Sequence, residues 1–145
     1  MGEPLHLCFE DVAEGATHSL EMPPITRTAI VRYAGASGDF NPVHHDELFA
    51  IRRGNDRVFA MGMLSAGYLS HLVGDWLGPG NLRTLSFQFR SQVWPGDVLT
   101  CKGVIKRKYE ASGEKRVDAD LRVENQRGEA AIVGTVTAAL PTRAR

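Results

Sequence analysis

The sequence predicts an α+β fold in which an antiparallel β-sheet wraps around one long central helix. Between Met61 and Leu77 the residues Met61, Leu64, Tyr68, Leu72 and Trp76 form one apolar stripe, and Met63, Ala66, Leu69, Val73 and Leu77 much of another. A helix over this stretch is apolar nearly all round and is expected to be buried. Everything after Gly78-Pro79-Gly80 reads as strand. The clearest case is the strict alternation of Val117, Ala119, Leu121 and Val123 with charged residues, the pattern of a half-buried antiparallel strand. At 145 residues the chain is one domain, residues 1–145, with its own core and no room for a second.

The elements follow in order. A first strand is expected from Thr17 to Met22, ended by Pro23-Pro24. Thr26 or Thr28 then caps a short helix with apolar positions Ile30, Tyr33 and Ala34, and Gly35 with Gly38 marks its exit. Asp46 can cap a second short helix, Glu47 to Arg53, with Gly54 just past its end. The long helix carries Gly62, Ser65, Ala66, Gly67, Ser70 and Gly74. That number of weak helix formers calls for a packing or functional reason. Later strands are expected around Leu85 to Phe89, Val98 to Lys106, Arg116 to Glu124 and Ala130 to Ala139. The intervening turns are Trp94-Pro95-Gly96-Asp97, Ala111-Ser112-Gly113-Glu114 and Asn125-Gln126-Arg127-Gly128. A single curved sheet on one helix leaves an edge and a face of small residues uncovered, which a second copy would cover, its sheet edge to edge with the first.

Composition excludes several classes of function. Lys+Arg and Asp+Glu each total 17, for a formal net charge of zero, so no basic excess points to nucleic acid. Cys8 and Cys101 are far apart with no ligand-like spacing to histidine, which suits a reduced, cytoplasmic, metal-free protein. The start Met1-Gly2-Glu3-Pro4 lacks the basic residues of a signal peptide, and no stretch is long and apolar enough to span a membrane.

The chemistry concentrates in Gly38-Asp39-Phe40-Asn41-Pro42-Val43-His44-His45-Asp46, which puts a carboxylate and an imidazole five residues apart on a stiffened turn. Gly38 permits backbone angles that a Cβ would forbid. Pro42 fixes its own φ and pushes Asn41 out of the helical region, and Asn41 can bond nearby backbone. A carboxylate and an imidazole so held can share one water and pass protons in both directions.

On these residues the chain resembles the MaoC-like dehydratase family of hot-dog-fold proteins, which includes the (R)-specific enoyl-CoA hydratases. The resemblance covers most of the chain. It rests on Phe9-Glu10-Asp11-Val12-Ala13-Glu14-Gly15, on Tyr33 to His44, on Gly62-Met63-Leu64-Ser65-Ala66, and on Phe87-Gln88-Phe89 followed by Val93-Trp94-Pro95-Gly96-Asp97. It implies hydration of a trans-2-enoyl thioester, carried by coenzyme A or acyl carrier protein, or dehydration of the (R)-3-hydroxyacyl thioester, without a further cofactor. Its catalytic pair falls on Asp39 and His44, and its thioester-polarising backbone N–H falls on Gly62. Asn41, and Ser70 two turns along the helix, are the implied substrate contacts. His44 is the expected acceptor of the water proton, with Asp39 orienting the water and shuttling the Cα proton, though the two roles could be exchanged. The departure from the family is Met61, where a histidine usually precedes the glycine.

His45 is expected to be exposed, and His71 to be a buried histidine or an interface residue. Arg52, Arg53 and Arg57, or Lys102, Lys106, Arg107 and Lys108, could meet coenzyme A phosphates, but solvated faces explain either group equally well. Two further readings stay open: a thioesterase on the same fold, and a non-catalytic acyl-thioester-binding subunit of a heteromer, for which Met61 is the best support. The runs His44-His45-Asp46 and Asp75-Trp76-Leu77-Gly78-Pro79 also resemble small subunits of steroid side-chain dehydratases. With the small residues of the helix they imply an open tunnel along it for a bulky acyl group.

Overall fold

The computed structural model describes residues 7–143. Its strands are β1 (Thr17–Glu21), β2 (Leu82–Phe89), β3 (Thr100–Ala111), β4 (Glu114–Glu124) and β5 (Ala130–Ala139). Its helices are α1 (Arg27–Ser37), α2 (Glu47–Arg52) and α3 (Gly62–Leu77), with short 3-10 turns at Phe9–Asp11, Pro42–His44 and Pro79–Asn81. The five strands form one sheet in the order β1-β3-β4-β5-β2, and every pairing is antiparallel. The hairpin joining β3 to β4 turns on Ser112 and Gly113, both at positive φ, the geometry that lets two antiparallel strands keep their right-handed twist.

The alternation read in β4 is realised. Val117, Ala119, Leu121 and Val123 are buried, and register pairs Val123 with Cys101 on one side and Ile132 on the other, so three strands present one apolar face. Against it α3 buries Leu69, Leu72, Val73, Trp76 and Leu77. The closest approach is at Gly103 of β3, where an added Cβ would lie 2.4 Å from the Trp76 ring. His18 of β1 stacks on the same indole, with ring centroids 5.7 Å apart. The sheet therefore closes around Trp76 from two strands.

The short helices form for the local reasons expected. Thr26 accepts the Ala29 N–H at 3.0 Å and Asp46 accepts the Phe49 N–H at 3.0 Å, each satisfying an amide with no intrahelical partner. Gly38 closes α1 at a φ of 74°, while Gly35 lies inside that helix. The turn before β3 is held by Asp97, a buried carboxylate that accepts from the Trp94 N–H and from Gln126. Backbone bonds Ile25 N–H to Asp97 O and Met22 N–H to Leu99 O lay the segment after β1 alongside it.

Two expectations are corrected. β3 runs from Thr100 to Ala111, several residues past Lys106, because its pairing with β4 continues to Ala111 opposite Glu114. The long helix is not covered all round: Met63, Gly67, Ser70, His71 and Asp75 are exposed. One sheet covers one side of a helix, and the small residues Gly67 and Gly74 have nothing within 4 Å of where a Cβ would be. Among the described residues no helix is long and apolar enough to cross a membrane.

Because the Trp76 ring occupies the space above Gly103, Gly103→Ala is expected to lower the unfolding free energy by about 1–3 kcal/mol, the usual cost of overpacking a core. Urea titration followed by tryptophan fluorescence measures it; an unchanged midpoint would show that the helix is not seated by this contact.

Candidate active site

The loop after α1 is built so that each polar side chain holds the backbone of a residue further on. Ser37 Oγ donates to Tyr33 O at 2.7 Å and accepts the Asp39 N–H at 3.2 Å. Asp39 Oδ1 accepts the Asn41 N–H at 3.2 Å, and Asn41 Oδ1 accepts the Val43 N–H at 3.3 Å at the start of the Pro42–His44 turn. The chain of short-range bonds is the behaviour expected of Ser, Asp and Asn in turns. It delivers Asp39 with one carboxylate oxygen engaged and the other, Oδ2, facing His44.

His44 is buried at 8% exposure, and its Nδ1 lies 2.7 Å from the Phe59 carbonyl oxygen. A carbonyl only accepts, so Nδ1 carries the proton, and in the neutral ring Nε2 presents a bare lone pair. That lone pair points toward Asp39 Oδ2 at 3.7 Å, too long for a direct hydrogen bond and short enough for one water to touch both. Phe59 also packs edge-on against the imidazole, with centroids 5.0 Å apart, and is itself backed by Trp94 at 5.9 Å. The ring is held on two sides.

Asp39 and Phe59 line a cavity of about 410 Å³ whose wall also includes Met61, Gly62, Ser65, Phe89, Val93 and Ile132. The N-terminal end of α3 opens into it. Met61 is the N-cap, is buried, and offers no side-chain cap. The Gly62 and Met63 N–H groups donate to no described residue, as helix geometry requires of the first turn, and they add to the positive end of the helix dipole. Phe89 explains the glycine: an added Cβ at Gly62 would sit 2.7 Å from its ring.

The structure places Asp39 and Gly62 in the wall of one cavity; His44 is not in that wall but lies beside two residues that are, Asp39 and Phe59, and two other expected contacts are also outside it. Asn41 spends its side-chain oxygen on the loop. Ser70 is exposed, and its hydroxyl donates to Ala66 O at 2.9 Å. Of the small residues on α3, Gly62 and Ser65 line the cavity and Ala66 is buried in the core, while Gly67 and Ser70 are exposed. His45 is exposed, bonding Phe40 O. His71, expected to be buried or at an interface, stands on the open side of α3 beside Asp75, Nε2 to Oδ2 3.4 Å.

The basic residues are largely committed elsewhere. Lys102 pairs with Glu124, Lys106 with Asp120 and Arg107 with Asp118, while Lys108 donates to the Phe9 and Val12 carbonyls. Arg53 and Arg57 lie over the Phe49 and Trp94 rings. Displaced titrations also fall away from the cavity. Hydrogen bonds from Arg83 and then Arg116 hold the Glu114 carboxyl down to about 2, and burial pushes the Cys101 thiol up to about 12, so Cys101 stays protonated and is no nucleophile at neutral pH. Among the described residues no group of three or more His, Cys, Asp or Glu is placed to hold a metal ion. Phe59 is a residue beside the site that the sequence reading did not name. Ser65 and Phe89 were named only within the runs that carry the resemblance and, for Ser65, among the small residues of the helix, without a role at the cavity.

Residues 11–127 match the family model described as the MaoC-like domain, and the chain belongs to that family. An (R)-specific enoyl-CoA hydratase of Aeromonas caviae is 33% identical over 116 residues, covering 77% of this chain and 84% of that protein. One from Rhodospirillum rubrum is 39% identical over 94 residues, 63% of this chain, and the match spans only 65% of that relative's length. Among solved structures, an R-hydratase of Pseudomonas aeruginosa in its unliganded form superposes with a TM-score of 0.84 at 26% identity, covering 95% of this chain and 88% of that one. The hot-dog fold is thereby shown.

The Phe59 carbonyl makes a direct claim about the His44 tautomer. In nitrogen-15 NMR of histidine-labelled protein, with His44→Asn to assign the signal, the neutral His44 ring is expected to show a protonated Nδ1 and a bare Nε2. The opposite tautomer would mean that the 2.7 Å contact is not the bond that orients the ring.

Proposed function

We propose that this chain adds water across the double bond of a trans-2-enoyl-CoA thioester to give the (R)-3-hydroxyacyl product, and catalyses the reverse dehydration. The observation that carries the reading is the His44 ring fixed through Nδ1, its bare Nε2 facing Asp39 Oδ2 across 3.7 Å, with the free end of α3 in the same cavity. The names of the relatives, enoyl-CoA hydratases of the same family and fold, support the substrate class.

The residues divide the work as follows. A water between His44 Nε2 and Asp39 gives its proton to the imidazole as its oxygen attacks Cβ. Electron density moves from the double bond to Cα and onto the thioester oxygen, where the Gly62 N–H and the positive helix end oppose the developing negative charge. Asp39, held by the Asn41 N–H, orients the water, then takes on Oδ2 the proton that His44 Nε2 has accepted and passes it to Cα. OH on Cβ and H on Cα then account for one water, and both side chains return to their starting state. One fixed donor at such an oxygen contributes about 3–4 kcal/mol to the transition state.

A homodimer is the assembly this reading favours. β1 and β2 are sheet edges, the outer side of α3 is open, and Phe40, Met63 and Phe89 expose large apolar surface beside the cavity. All the residues assigned to the reaction come from one chain, which favours a self-sufficient enzyme over a non-catalytic subunit.

Purified protein is expected to remove the conjugated absorbance of trans-2-enoyl-CoA and to yield the (R)-product on chiral analysis. Asp39→Asn and His44→Ala should each lower kcat at least about 10²-fold, the scale of losing a general acid or base. Hydration unimpaired by both changes would remove the assignment, and release of free coenzyme A thiol in its place would indicate a thioesterase.

Sedimentation at micromolar concentration is expected to give twice the chain mass of 15.9 kDa. A monomer active only with a second protein would replace the homodimer by a heteromer.

A further inference from the structure

Ser65 stands out because its hydroxyl has nothing to bond. The residue is 1% exposed, lines the cavity beside Gly62, and its Oγ makes no hydrogen bond. The other buried side-chain oxygen without a hydrogen bond among the described residues, Glu47 Oε2, is at least ion-paired with Arg27 at 2.8 Å. Buried hydroxyls are normally satisfied, and each exception calls for a cause.

A helical serine has a ready remedy, which is to fold back onto the carbonyl four residues earlier. This chain uses it twice. Ser37 donates to Tyr33 O at 2.7 Å and Ser70 to Ala66 O at 2.9 Å. Ser65 does not, and the carbonyl it would use, that of Met61, already accepts the Leu64 N–H at 3.1 Å. No described group takes its place as a partner for Oγ, although the cavity wall also carries Asp39, Arg90, Ser91 and Gln92.

The direction of the side chain matters next. The Cα–Cβ bonds of a helix tilt toward its N-terminus, and residues three apart share a face, so the Ser65 Cβ lies on the face of Gly62 and toward the turn that begins there. Three donors thus gather at one end of α3: the Gly62 and Met63 N–H groups and the Ser65 O–H. A ligand atom meeting three donors must be an acceptor, and the carbonyl oxygen of an acyl thioester is one.

Resting on the hydratase reading above, we propose that Ser65 Oγ donates a hydrogen bond to the thioester carbonyl oxygen, as a second donor beside the Gly62 N–H. The hydroxyl is left unpaired in the free protein because its partner arrives with the substrate. The bond strengthens as that oxygen gains enolate charge, so its effect falls on kcat more than on KM.

Ser65→Ala and the near-isosteric Ser65→Cys, a weaker donor, separate this role from packing. Hydration kinetics and thermal unfolding are measured on wild type and both variants. Ser65→Ala is expected to lower kcat about 10- to 100-fold, the lower part of the range for an oxyanion donor, with Ser65→Cys between it and wild type. The melting temperature of Ser65→Ala should equal or exceed that of wild type, because an unsatisfied buried group has been removed. An unchanged kcat in Ser65→Ala, or a kcat loss that tracks a falling melting temperature in both variants, overturns the proposal while leaving the hydratase reading intact. If wild type does not hydrate enoyl-CoA, that reading fails, and calorimetric binding of butanoyl-CoA decides Ser65 separately. Weaker binding by Ser65→Ala would support the donor role, and equal affinity or no binding by wild type would overturn it.

Discussion

The contact between Trp76 and Gly103 sets how deeply α3 lies in the sheet, and the rest of the structure depends on that depth. Only a glycine leaves room for the indole there, and His18, the cross-strand partner of Gly103, stacks on the same ring. Both residues lie near the C-terminal end of the helix, so this contact acts on its N-terminal end as a lever. With the far end pinned, Gly62 emerges at the cavity and not in the core. The remaining face of the helix is then free of the sheet, which is why glycines and a serine occupy it at little packing cost.

The site has two halves that approach from different parts of the chain, and the short segment Val58 to Met61 joins them. The Phe59 carbonyl accepts a hydrogen bond from His44 Nδ1 and sets the imidazole. The next residue, Ala60, donates to Val93 O at 2.8 Å and fastens the segment to the opposite cavity wall. Met61 then caps α3. Four consecutive residues therefore fix His44, the cavity wall and the start of α3 relative to one another, largely through backbone groups. Val58, Ala60 and Met61 are buried apolar residues, so the segment has reason to stay where the core puts it.

Much of this was legible because it is written in local rules. The cap at Asp46 and the alternation in β4 depend on neighbours in sequence and appear as read. Of the residues offered for the ends of α1, Thr26 and not Thr28 caps it, and Gly38 and not Gly35 closes it. The Asp39 and His44 pair was legible for the same reason, since the loop between them holds itself by short-range bonds. What escaped depends on contacts between distant segments. Nothing near Phe59 says that its carbonyl will meet an imidazole fifteen residues away, and nothing near Ser65 says that its hydroxyl will go unpaired. The open side of α3 was misjudged because apolar periodicity reports that a helix is buried but not how many layers cover it. Ser70 was placed by alignment to a pattern, and its exposure follows from that same uncovered side.

Met61 can be understood in these terms. A histidine at this position would bring a titratable donor and acceptor next to the first N–H groups of α3 and compete for them or for the ligand. A buried thioether does neither. It leaves the Gly62 and Met63 N–H groups without a side-chain partner and surrounds them with apolar atoms, where an N–H dipole acts on a ligand charge with less screening than in water. On the proposed hydratase reading, a methionine here leaves fewer polar groups for the thioester oxygen and less screening around those that remain. The unpaired hydroxyl of Ser65, one turn along the helix on the same cavity wall, is an additional donor for it.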